Sequence, residues 1–72
     1  DKIAPCLTVI EDMLLFAPRD AALWHEAGVL NAHLENLRAA LIAFEHCLDL
    51  SDNPADRARV ARHIANLRAR LN

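Results

Sequence analysis

The chain has 72 residues, more than half of them apolar, with one glycine, three prolines, two cysteines and a formal net charge of −2. That length allows one small domain, and an apolar content carried by leucine and alanine rather than β-branched residues reads as all-α. No run of about 18 apolar residues occurs and two cysteines are too few for a disulfide framework, so these 72 residues are expected neither to span a membrane nor to be stapled by disulfides.

Turn signals divide the chain into four helices. The first is expected over about 3–16, with Leu7, Ile10, Met13 and Leu14 on one apolar face. Pro18 stops it, and Asp20 is placed to cap a second helix over about 21–34. The link "ENL" follows, with Asn36 expected in the left-handed conformation that ends helices. A third helix over about 37–50 carries Leu37, Leu41, Phe44 and Leu48 on one face. The fourth, about 55–71, follows a cap at Asn53, a proline suited to the first turn (Pro54) and Asp56. Its apolar stripe is Val60, Ile64, Leu67 and Leu71. Links this short make consecutive helices antiparallel. Both Cys6 and Cys47 fall in apolar helical pattern and read as free, buried thiols, which points to a reducing, cytoplasmic location.

On a helical wheel of the second helix, Leu23, Trp24, Ala27, Gly28, Leu30 and Leu34 share one broad inward arc, together with the polar Asn31. A glycine there costs the helix about 0.5–1 kcal/mol relative to alanine, a cost that close approach of a neighbour would justify. Asn31 is expected to hydrogen-bond a neighbouring backbone group, because burying it unpaired costs about 1–3 kcal/mol. The opposite arc holds Ala22, His25, Glu26, Val29, Ala32 and His33.

Trp24, Gly28, Ala40 and Phe44, at these spacings, resemble the tetratricopeptide repeat, a helix–turn–helix unit of about 34 residues. Cys47 stands where the family commonly has alanine, Ala27 where it has leucine and Asn31 where it has an aromatic residue. The terminal proline comes two residues late, as Pro54. One repeat length earlier lie Cys6, Ile10, Met13 and Pro18, which fit the second half of a preceding unit. One length later Ala58 and Arg62 replace the tryptophan and glycine, so the signature stops there. The resemblance implies one domain over 1–72: a half repeat (3–18), a full repeat (21–54) and a capping helix (55–72). The order of the segments also resembles the C-terminal tetratricopeptide module of bacterial transglutaminase-like proteins. It implies a piece of a larger bacterial protein whose catalysis lies elsewhere.

In this family the first helices of the repeats line a concave surface that holds extended peptides, which places Ala22, His25, Glu26, Val29 and His33 on the binding face. Members that clamp a C-terminal carboxylate present lysine and asparagine at the positions of His25 and Val29, so no such clamp is expected. The implied function is a noncatalytic protein-interaction or scaffold module. The alternative is a regulatory or docking appendage of a catalytic domain in cis.

No enzyme signature accompanies this pattern, and no cofactor is expected. One glycine excludes a glycine-rich phosphate loop. His25 and His33 stand about 12 Å apart along the helix axis, too far for one metal ion, and all four histidines read as solvated. Residues 54–72 carry five arginines against one acid, whereas residues 1–53 carry nine acids and three bases. The outward stripe Arg59, Arg62, Asn66 and Arg70 offers a thin nucleic-acid surface without a stacking aromatic, so intramolecular charge complementarity is the preferred reading. Leu7, Ile10 and Leu14 offer a face for a homodimer or a domain contact, since stable arrays usually stack three or more repeats.

Overall fold

A computed structural model describes residues 2–72, and Asp1 lies outside the described residues. Four α-helices follow one another: α1 (Ile3–Phe16), α2 (Ala21–His33), α3 (Leu37–Leu50) and α4 (Pro54–Leu71). Every expected helix is present, with boundaries displaced by at most one residue. The Asp20 carboxylate accepts from the backbone N–H groups of Ala22 and Leu23 at 3.0 and 3.3 Å, which caps α2. Asn53 caps α4 in the same way, accepting from Ala55 and Asp56 at 2.8 and 3.2 Å, and Pro54 opens the helix.

The turn between α2 and α3 departs from the expectation. Glu35, not Asn36, adopts the left-handed conformation, with φ 62°. Its N–H donates to the Ala32 carbonyl at 3.1 Å, and the Asn36 N–H donates to the Asn31 carbonyl at 2.9 Å. This is a Schellman closure, in which the left-handed residue directly follows the helix cap, here Leu34. Asn36 is therefore already the N-cap of α3, with φ −84°.

Each helix packs on the next in the chain. The molecule measures 28 × 28 × 15 Å, and its thin dimension corresponds to two helix layers. Leu7 and Leu14 of α1 join Ala27 of α2 and Ala43 of α3 in one apolar cluster. Ala40, Phe44 and Cys47 of α3 join Val60, Ile64 and Leu67 of α4 in a second, with Trp24 and Val29 of α2 against it. The α2–α3 hairpin is thus covered on both sides, and α1 and α4 on one side each.

That asymmetry corrects two expectations. Cys6 is exposed, because only the Leu7–Leu14 stripe of α1 meets α2, whereas Cys47 is buried as expected. Leu7, Ile10 and Leu14 do not form a free face for self-association. Leu7 and Leu14 are buried within the chain and Ile10 packs against the same cluster. The apolar side chains that α1 presents to solvent are Val9, Met13, Leu15 and Phe16, the last two 79% and 90% exposed.

Asn31 is buried and its Nδ2 donates to the Ala27 carbonyl at 2.9 Å, which meets the need foreseen for it. Ion pairs join the basic last helix to the acidic body: Arg68 to Glu45 at 3.0 Å and Arg70 to Glu35 at 2.7 Å. Arg57 Nη1 donates to the carbonyls of Leu48 and Ser51 at 2.7 and 3.0 Å, satisfying orphan groups at the end of α3.

Candidate functional site

Since α2 and α4 both rest on α3 and lie in the same layer, a groove runs between them. Its floor is α3, chiefly Phe44 and Cys47. The end near the α4 N-terminus is a hollow of about 260 Å³ walled by Ala22, His25, Glu26, Ser51, Asp56 and Arg59. The other end, about 240 Å³, is walled by Val29, Ala32, His33, His63, Asn66 and Leu67. All five residues expected on the binding face, Ala22, His25, Glu26, Val29 and His33, line this groove.

Sequence reasoning missed the opposite wall. Asp56, Arg59, His63 and Asn66 recur at intervals of three and four, so they form one stripe of α4 turned toward α2. The spacing is present in the sequence, but α4 taken alone shows that stripe as the solvated back of a capping helix.

At the centre of the groove an aromatic group replaces the expected solvated histidines. The His63 ring stacks on Phe44 with centroids 5.0 Å apart and planes 14° from parallel. His25 meets Phe44 edge-on at 5.6 Å and His63 edge-on at 5.8 Å. Both histidines are half-buried, and His25 Nε2 is buried without a hydrogen-bond partner among the described residues. Burial, reinforced by the neighbouring His25, Arg59 and Arg62, lowers the His63 pKa from the ordinary 6.5. His46 is exposed, with its ring stacked on Trp24 at 4.3 Å. His33 is exposed and makes no side-chain hydrogen bond or ion pair within the described chain.

Gly28 sets the depth of that floor. A Cβ on it would stand 2.8 Å from Phe44 Cε1 and Cζ, so only glycine admits the ring in this position. Ala40 lies fully buried beside Phe44 in the same cluster. Trp24 is half-buried, and its Nε1 donates to the Pro18 carbonyl at 2.8 Å, tying the α1–α2 turn to the hairpin. A family model described as tetratricopeptide repeat matches residues 1–70. The chain belongs to that family.

No curated protein and no solved structure shows significant similarity to the chain. Tetratricopeptide repeats are protein-interaction modules, and that coarse role follows from membership. Among the described residues, no three His, Cys, Asp or Glu side chains are grouped to hold a metal ion. No helix among them is long and apolar enough to cross a membrane. The Cys47 thiol is pushed up by burial, with Asp56 adding and the contact to Ser51 opposing, so it lacks the thiolate character of a nucleophile.

Proposed function

We propose that this tetratricopeptide chain is a noncatalytic scaffold module that holds an extended segment of a protein partner in the α2–α4 groove. The supporting observation is that unspent polar groups line a mostly apolar trough. Glu26, His33 and Asn66 in the groove, and Arg62 close to His63, make no side-chain hydrogen bond or ion pair within the described chain. Val29, Phe44 and Leu67 supply the apolar surface beside them. An extended peptide offers what such a trough selects, namely alternating side chains and backbone groups able to meet donors and acceptors from both walls. In this reading residues 3–18 act as a half repeat, 21–54 as the full repeat and 55–72 as the cap. A cytoplasmic setting accords with two free thiols.

The test is site-specific photocrosslinking. A photoreactive residue at His33 or Asn66 should capture the partner, while one at Ile42, on the opposite layer, should not. Capture from Ile42 alone would overturn the groove reading.

A second reading has an observation of its own. Leu15, Phe16, Met13 and Val9 leave α1 with an apolar outer surface, which suits docking onto a neighbouring domain in cis, such as a transglutaminase-like domain. Nucleic-acid binding through α4 has lost most of its support. Arg57, Arg59, Arg68 and Arg70 are engaged by carbonyls or carboxylates, which leaves Arg62 as the one uncommitted arginine of the helix among the described residues.

A further inference from the structure

The histidine contact at the groove centre carries a consequence for how the groove is held closed. His25 comes from α2 and His63 from α4, and their rings meet edge-on at 5.8 Å above the Phe44 ring. In their neutral forms the rings are aromatic packing between two helices otherwise joined mainly through α3. A proton on His63 places a cation against the His25 ring in a half-buried site.

The surrounding charges must be weighed from every helix that faces the pair. From α2 come Glu26, exposed, and His33 at the far end of the groove. From α3 comes only the neutral Cys47 thiol. From α4 come Arg59 and Arg62, which oppose protonation of His63, and Asp56, which favours it but already holds Arg59 at 3.6 Å. The balance disfavours charge on His63, and the ring it faces, His25, has its Nε2 buried without a hydrogen-bond partner among the described residues.

We propose that the His25–His63 contact is a proton-sensitive latch that joins α2 to α4 near neutral pH and parts on acidification, widening the groove. The regulatory consequence rests on the groove being the binding site, whereas the latch is a property of the free chain. The lowered His63 pKa gives the direction of the linkage. Above the ordinary 6.5 neither state binds the proton and the contact stabilises in full. As the pH falls below 6.5 the unfolded chain takes up a proton that the folded chain refuses, so stability declines. The decline levels off once the folded chain protonates, and at that point the latch opens.

The experiment is an NMR titration of the histidine rings in the free chain from about pH 8 to about pH 5, spanning the histidine range. The cross-relaxation peak between the His25 and His63 rings is followed alongside. Expected are a His63 midpoint below 6.5 and loss of the inter-ring peak as His63 protonates. In a His63→Phe variant the contact to the His25 ring should persist to the acid end, since the stacking surface remains and no charge forms at position 63. A His63 midpoint at or above 6.5, or an inter-ring peak that survives His63 protonation, would overturn the latch. The wild-type titration decides without the variant. Trp24 fluorescence is the wrong probe, because that ring stacks on His46 and not on either ring of the pair. Since no peptide is present, failure to find a groove ligand counts against the groove and leaves the latch standing.

Discussion

Replacing Gly28 with alanine separates an incidental helix glycine from one required by a neighbour. For an unencumbered helix position, alanine gains about 1 kcal/mol over glycine. Here the new Cβ would lie 2.8, 2.8 and 2.9 Å from Cε1, Cζ and Cδ1 of Phe44. Comfortable carbon–carbon contact begins near 3.5 Å, so the ring must retreat by about 0.7 Å. It has little room, being 2% exposed with His63 stacked against it at 5.0 Å. Overpacking of this kind costs about 1–3 kcal/mol, which outweighs the propensity gain and leaves a net loss of about 1 kcal/mol. In a domain of this size that lowers Tm by roughly 5 °C, readable by circular dichroism. The decisive control is the same substitution in a Phe44→Leu background, where the clashing ring atoms are absent. There Gly28→Ala should turn stabilising, by about the 1 kcal/mol of its helix propensity. A stabilising Gly28→Ala in the wild-type chain would refute the close approach and with it the account of the groove floor.

Three further outcomes follow from single contacts. Asp20→Ala should cost about 1 kcal/mol in thermal unfolding, since both N–H groups accepted by the carboxylate at the start of α2 lose their partner. Glu35→Gly, measured in an Arg70→Ala background so that the exposed ion pair is already absent, should gain about 0.5–1 kcal/mol by relieving the left-handed φ of 62°. Thiol labelling of the native chain should show one fast cysteine, Cys6, and one that reacts only on unfolding, because Cys47 is buried and its pKa is raised.

The fold was legible because its punctuation is local. Asp20, Asn53 and Pro54 act within one turn of their own positions, so their chemistry can be read without knowing what packs where. Gly28 was legible for a related reason, since a glycine set one turn from the only tryptophan on an apolar arc has few uses besides close approach. The Schellman turn was misplaced by one residue because the choice between Glu35 and Asn36 depends on where α2 stops, and an intrinsic preference for asparagine cannot see that.

The histidines show where reading one helix at a time fails. A wheel divides α2 into an inward and an outward arc, which suits a helix with one neighbour. Here α3 packs on one flank, α1 on another, and α4 reaches across from above α3. The arc holding His25 is therefore outward for the α2–α3 hairpin and inward for the groove. Nothing in the spacing of α2 announces the second wall; only α4 does, through His63 at the height of Phe44. The same geometry accounts for Leu7 and Phe16. Both belong to a helix with a neighbour on one side, so Leu7 is buried while Phe16 stays open to solvent. Burial in this chain is thus set by how many helices stand beside a given one. The half-buried histidines, His25 and His63, sit where two helices of one layer face each other across a third.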